Sequence, residues 1–219
     1  MAPRVRCETP RLVLASASTR RRQLLSALGL SFTVADPEIE EDHLRTPAKT
    51  PEELAEALAL SKARAVHRQA EGAMVLGADT LVCLGEKVLG KPGGAEEAGR
   101  MLRALRGRRH RVITGLALIP QASDTPLVRH LSTIVTMRRY SEAEVEEYIA
   151  SGDPLDKAGA YAVQSPTFRP AARVEGCYFN VVGLPLCIVA EMLRQGGIQP
   201  RPDPRLVSAC KYRSCPFRP

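Results

Sequence analysis

Short apolar runs of strand length alternate with helical segments along the chain, and this alternation limits the possible folds more than any other feature. Residues 11–15 and 31–35 have the pattern of strands. Residues 18–28 between them place Leu24 and Leu28 on one helical face. The other predicted strands are residues 74–77, 81–84, 88–89, 109–119, 127–137, 160–163 and 178–182, and the other predicted helices are residues 51–70, 95–105, 141–150 and 185–194.

This order of elements predicts an α/β fold with a mixed sheet, because several strands are joined by loops of hairpin length. No apolar run approaches the ~18 residues that a membrane-spanning helix needs. Residues 1–10 lack the apolar segment of a secretory signal, so we expect a cytoplasmic protein with no membrane partner. Six cysteines in 219 residues are too few for a disulfide scaffold, and reduced thiols are expected.

The distribution of charge divides the chain into three parts. The net charge is +7, but most of the excess lies in residues 1–11 and 195–219, so the part between them is close to neutral. A nearly neutral domain attracts the phosphate backbone of nucleic acid only weakly, so nucleic acid is not expected as a partner. The predicted division is a disordered arm at residues 1–10, one domain at residues 11–194, and a basic, proline-rich, poorly ordered tail at residues 195–219.

The first segment with candidate chemistry lies between the first strand and the first helix. It reads Ala-Ser-Ala-Ser-Thr-Arg-Arg and ends in Arg20 and Arg21. Free backbone N–H groups at a helix start attract anions, and two arginines there oppose the helix dipole unless an anion is bound. The segment fits a phosphate site about as well as it fits an ordinary solvated helix start.

Other polar residues have both a functional and a structural interpretation when taken singly. Asp79 ends an apolar strand, where it would reach a substrate or a metal, or close a turn. Lys62, Lys91 and Lys157 fit phosphate contacts or surface charges. The acidic residues 40–42 suit Mg²⁺ or a solvated loop.

Taken together, these segments resemble the Maf family of nucleotide pyrophosphatases. The resembling segments occur in the family's order and cover about residues 11–194. They are residues 14–21, 61–63, 77–80, 89–92, 114–115, 154–161 with Gln164, and 180–186.

The resemblance implies a long bent sheet flanked by helices, with two lobes and a cleft between them, and often a homodimer. It implies hydrolysis of a nucleoside triphosphate to the monophosphate and pyrophosphate with a divalent cation (Mg²⁺, Mn²⁺ or Co²⁺). Asp79 matches the family's catalytic acidic residue, the proton acceptor, and Glu41 with Asp79 is the expected metal pair. Ser16, Arg21, Lys62 and Lys91 match its phosphate-binding positions.

Three further positions separate substrate classes within the family. This chain carries Arg20, Thr80 and Gln164, the combination of the branch that acts on dTTP and UTP. The amide of Gln164 can present both a donor and an acceptor to a pyrimidine edge. The chain departs from the family pattern after Gln164, where residues 165–170 replace a glycine-rich turn. An alternative that the resemblance also implies is a regulatory protein that inhibits septum formation by binding partners.

Overall fold

One seven-stranded mixed sheet organises the chain. The computed structural model describes residues 11–39, 48–121, 123 and 125–203. The strands are β1 (Leu12–Ala15), β2 (Phe32–Ala35), β3 (Met74–Leu84), β4 (Lys87–Leu89), β5 (Arg109–Ile119), β6 (Leu127–Met137) and β7 (Ala171–Glu175). The helices are α1 (Thr19–Ser26), α2 (Pro51–His67), α3 (Ala95–Leu105), α4 (Glu142–Ala150), α5 (Tyr178–Val182) and α6 (Leu186–Gln195), with two 3₁₀ turns at Asp153–Asp156 and Ala158–Ala160.

The strand order is β2-β1-β3-β5-β6-β7, with β4 paired to β3 beside this path. β1 is parallel to β2 and to β3, whereas β3, β5, β6 and β7 follow one another antiparallel. The prediction of an α/β fold with a mixed sheet is therefore confirmed.

The edge of β3 that faces β1 and β4 is interrupted. β1 pairs with β3 as far as Gly77, and β4 begins to pair at Val82. On the opposite edge, β5 pairs with β3 without a break from Val75 to Cys83. Among the described strands, none covers residues 78–81 on the interrupted edge, which leaves a gap in the sheet at Asp79.

Alternation along β3 builds a different layer on each side of the sheet. Val75 packs in a cluster with α2, and Leu81 packs with α2 further along the same face. On the other face, Leu76 packs in a cluster with α1 and α6, and Val82 packs in a cluster with α3 and α4. The two helical layers on this second face form two lobes, and the gap in β3 lies between them.

Local signals placed the helix starts correctly. Thr50 caps α2 by accepting a hydrogen bond from the Glu53 backbone N (3.1 Å). At α4, Ser141 and Glu144 form the predicted capping box. Ser18 caps α1, accepting from the Arg21 backbone N at 3.4 Å.

Three predictions of secondary structure were wrong. Residues 74–84 form one continuous strand rather than two strands around a turn, because β5 pairs with every residue from Val75 to Cys83. Tyr178–Val182 is a helix, and Ala160 ends a 3₁₀ turn that residues 161–163 follow without forming a strand. Periodicity cannot distinguish a strand from a helix in apolar runs this short. Ala171–Glu175, which was not predicted, forms the edge strand β7.

Part of the predicted tail packs on the domain. Ile198 is buried, and the backbone N of Arg201 donates to the carbonyl of Leu28 (2.8 Å). Residues 1–10 and 204–219 lie outside the described residues, and the three-part division of the chain stays a prediction. Cys83, Cys177 and Cys187 are buried, and none of these three forms a disulfide. In the described part of the chain, no helix is both long enough and apolar enough to span a membrane.

Candidate active site

A cleft of about 480 Å³ lies between the two lobes, over the gap in β3. Every candidate site residue that the structure describes lines this cleft, although the residues come from distant parts of the chain. Glu41 lies outside the described residues, so the predicted metal pair of Glu41 and Asp79 stays a prediction. The candidate residues brought together are Ser16, Arg20, Arg21, Lys62, Asp79, Thr80, Lys91 and Gln164.

Asp79 and Lys62 form a buried ion pair at the gap. Lys62 Nζ lies 2.5 Å from Asp79 Oδ1, and the two residues are only 4% and 3% exposed. The other carboxylate oxygen, Asp79 Oδ2, is buried and accepts no hydrogen bond from the described residues. A buried acceptor without a donor is costly, so this oxygen is suited to a water or a cation that arrives with a ligand.

The α1 helix start faces the same cleft. Its first turn contains Arg20, Arg21 and Arg22 and no acidic residue. Cations at the positive end of a helix are unfavourable on their own. A bound anion would offset this charge, which favours the phosphate interpretation of the segment.

Arg21 is held at several points in the wall of the cleft. Its Nε donates to the carbonyl oxygen of Gly183 (3.0 Å), and its Nη2 donates to Thr80 Oγ1 (3.0 Å). Its Nη1 donates more weakly to Ser16 Oγ (3.4 Å). These contacts fix the direction in which the guanidinium group faces the cleft.

Arg20 and Gln164 line both the main cleft and an adjoining cavity. Arg20 Nη1 lies 3.6 Å from Asp156 Oδ2, so this side chain bridges the mouth of the cleft to the 3₁₀ turn. Gln164 is exposed, and together with Arg20 it also lines an adjoining cavity of about 410 Å³. A ligand that extends beyond the main cleft would meet both side chains.

The segment after Gln164 is anchored. Phe168 is buried and stacks on Tyr148 with ring centroids 4.2 Å apart. Ser165 Oγ accepts a hydrogen bond from the Phe168 backbone N (3.3 Å). These contacts restrict the turn that replaces the family's glycine-rich segment.

Three residues of this region are not among the predicted site residues, although Lys157 was interpreted as a phosphate contact or a surface charge. Lys157 is buried and its Nζ lies 2.5 Å from Asp156 Oδ1 and 3.0 Å from Asp153 Oδ1, so it is not a simple surface charge. Thr114 and Asn180 are fully buried beneath the cleft. They occur in the segments that carry the resemblance, which was the available signal.

The described side chains provide few metal ligands. Among them, no group of three or more His, Cys, Asp or Glu residues is arranged to hold a metal ion. Mg²⁺ usually binds one or two carboxylates and completes its shell with phosphate oxygens and water. The buried Asp79 Oδ2 fits this role for a cation that binds together with a phosphate-bearing ligand.

The mixed sheet, the arginine-rich helix start and the buried carboxylate define an α/β protein whose site suits a phosphate-bearing ligand. The chain belongs to the Maf family, since the model of the Maf-like protein matches residues 11–196.

Relatives of known name match nearly the whole chain. It is 49% identical over 191 residues to the dTTP/UTP pyrophosphatase of Moorella thermoacetica, covering 86% of this chain and 96% of that protein. It is 47% identical over 210 residues to the dTTP/UTP pyrophosphatase of Thermomicrobium roseum, covering 95% and 94%. Among solved structures, it is similar to a HAM1 protein from Coxiella burnetii at 19% identity, with a TM-score of 0.44 over 73% of this chain and 92% of that one.

Proposed function

We propose that this chain is a nucleoside triphosphate pyrophosphatase that hydrolyses dTTP and UTP to the monophosphate and pyrophosphate. The observation that carries the proposal is the buried carboxylate of Asp79, which has one oxygen held by Lys62 and the other unpartnered among the described residues. The names of relatives at 47–49% identity support the same substrates.

The proposed reaction is attack of water on the α-phosphorus. Asp79 Oδ2 either orients the water and accepts its proton as the new phosphorus–oxygen bond forms, or holds the cation that activates the water. The bond from the α-phosphorus to the bridging oxygen breaks, and pyrophosphate leaves. Lys62 holds the carboxylate in position through its contact with Oδ1.

The charge of the triphosphate is neutralised by groups from three parts of the fold. Arg21 and the Ser16 loop would face one side of the phosphates, and Lys91, directly after β4 and Gly90, would face the other. Donors and cations that are already in place stabilise charge without reorganisation at the moment of reaction.

A divalent cation completes the proposed site. Asp79 would hold it, with Glu41 as the second expected carboxylate, and the substrate's phosphate oxygens would supply further ligands. When bound, the cation (Mg²⁺, Mn²⁺ or Co²⁺) would neutralise phosphate charge and polarise the phosphoryl oxygens.

Base recognition is assigned to the rim of the cleft. Gln164 is exposed there and would pair its amide with the edge of a pyrimidine, while Arg20 lies beside it. The homodimer and the cytoplasmic location, which the sequence also suggested, stay predictions.

The test is pyrophosphate release with Mg²⁺ or Mn²⁺ from dTTP, UTP, CTP, 7-methyl-GTP and the common purine triphosphates. We expect turnover of dTTP and UTP only. Turnover of a nucleotide with another base would support the proposed reaction but contradict the assignment of Arg20, Thr80 and Gln164 to base selection. Absence of turnover by folded protein with every nucleotide would overturn the proposed function.

A further inference from the structure

A chain of hydrogen bonds runs from Arg21 into the core, and its direction is fixed. Thr114 Oγ1 donates to the backbone carbonyl oxygen of Asn180 (3.0 Å), which can only accept. The single hydroxyl proton of Thr114 is used in this bond. In the contact between Thr114 Oγ1 and Thr80 Oγ1 (3.0 Å), Thr114 is therefore the acceptor and Thr80 is the donor. Thr80 Oγ1 in turn accepts from Arg21 Nη2 (3.0 Å).

This direction limits what Thr80 does in the cleft. Its one hydroxyl proton points to Thr114, and its oxygen already accepts from Arg21. A ligand in the cleft would have to break this chain to receive a hydrogen bond from Thr80. The hydroxyl thus orients Arg21, and towards a ligand in the cleft it can act only as an acceptor, through its second lone pair.

The chain ends on a rigid segment, α5 and the residues after it. The Asn180 side-chain amide donates to the Val112 carbonyl oxygen (3.0 Å) and to Thr133 Oγ1 (2.9 Å), which ties α5 to β5 and β6. Three residues later, Gly183 presents its carbonyl oxygen to Arg21 Nε. Both main anchors of Arg21, one direct and one through two threonines, therefore derive from the same segment.

The backbone at Gly183 supports this arrangement. Its φ of +119° lies in the region that favours glycine. A Cβ there would lie 3.4 Å from Thr80 Oγ1 and 3.7 Å from Arg21 Nε. A side chain at residue 183 would strain the backbone and lie against Thr80 and Arg21. Glycine avoids this strain at the position whose carbonyl oxygen contacts the guanidinium group.

We propose that Thr114 and Asn180 are positioning residues for Arg21, and that they act on the substrate's phosphates through Thr80 and Arg21. This inference rests on the proposed function for its reaction. Arginine loses much rotamer freedom when it is held, so a guanidinium group fixed before binding increases both affinity and rate.

The first test compares Thr114→Val, which removes the hydroxyl at nearly constant volume, with Thr114→Ser, which keeps it. We expect Thr114→Val to lower kcat/KM for dTTP by about 10-fold to 100-fold, since small misplacements of a binding group have effects of this size. Thr114→Ser should recover most of the loss. Thr136→Val on β6 is the matched control, because Thr136 lies outside the cleft lining, and it should match the wild type.

The second test is a double-mutant cycle with Thr80→Val. The effects of substitutions within one hydrogen-bond chain are not additive. The double variant Thr80→Val with Thr114→Val should therefore lose no more kcat/KM than Thr80→Val alone. Thr114→Val should lower turnover of dTTP and UTP in equal proportion, because Thr114 lies outside the cleft lining and acts through Arg21 on the phosphates that both substrates share. Additive losses, or a changed ratio of dTTP to UTP turnover in Thr114→Val, would overturn the inference.

A binding measurement separates failure of this inference from failure of the proposed function. Calorimetry with inorganic tripolyphosphate needs no hydrolysis. Weaker binding by Thr114→Val than by Thr114→Ser would uphold the inference even if the wild type hydrolysed no nucleotide. Equal binding by the two variants, or no binding by the wild type, would overturn it.

Discussion

Asp79 on β3 and Gly115 on β5 are direct partners in the register of the sheet, and both face α2. A Cβ at Gly115 would lie 2.2 Å from the Ala55 carbonyl, and one at Gly77 would lie 2.3 Å from the Ala59 carbonyl oxygen. The backbone of α2 therefore lies directly on the sheet at these two glycines. This close approach brings Lys62, one turn further along α2, within reach of Asp79.

Gly115→Ala should both destabilise the protein and weaken the site. The added methyl group would force α2 away from β5, and overpacking of this kind costs about 1–3 kcal/mol. Thermal unfolding and steady-state kinetics would measure the two effects. Gly94→Ala is the control, because nothing lies within 4 Å of a Cβ there. Equal unfolding temperatures for the two variants would contradict the role given to Gly115.

Asp79→Asn should lower kcat by about 10²–10⁴, because the amide cannot accept the proton of the attacking water. It also leaves Lys62 buried without its anion, so kcat is measured at a temperature where circular dichroism shows the variant to be folded. It should also raise the metal concentration needed for half-maximal activity, because an amide is a weaker ligand than a carboxylate. Asp203→Asn, outside the cleft lining, is the control. Activity of Asp79→Asn within tenfold of the wild type would exclude the assigned role.

Lys62→Met should be strongly destabilising. It leaves the carboxylate of Asp79 buried without its cation, and breaking a buried ion pair in this way costs about 3–5 kcal/mol. Lys62→Met combined with Asp79→Leu should recover much of the stability while remaining inactive. Chemical denaturation would give the three free energies of unfolding. If the double variant proved less stable than Lys62→Met, the buried pair would not be the cause.

His110 should make stability depend on pH. Burial lowers its pKa from 6.5 to about 4, and its Nε2 lies 2.7 Å from Tyr161 Oη. Between pH 6.5 and pH 4, His110 is protonated in the unfolded chain but stays neutral in the folded protein. The free energy of unfolding therefore decreases as the pH falls towards 4. The full shift corresponds to about 3 kcal/mol.

Thermal unfolding of the wild type and of His110→Gln between pH 7 and pH 4.5 would measure this term. The wild type should lose more stability over this range than the variant, which keeps a polar partner for Tyr161 but does not titrate. Parallel curves would show that His110 does not contribute to the pH dependence.

The sequence by itself determined the local features of the fold. Thr50 and Ser141 start helices because their hydroxyls cap backbone N–H groups three residues ahead. The types and order of the polar segments also predicted which side chains would line one cleft, Glu41 excepted, which is not among the described residues. The capping signals act over a few residues. The site residues were predicted because their segments match the family's motifs.

The tertiary structure decided how those residues are used. The sequence suggested a turn at Asp79, whereas pairing with β5 draws residues 74–84 into one strand and leaves a gap only on its other edge. Gly183, which accepts from Arg21, is 162 residues away, and no local signal predicts that the buried Thr114 contacts Thr80 and Asn180. Contacts between distant segments depend on strand pairing and helix packing across the whole chain, so only the assembled fold sets which atoms meet.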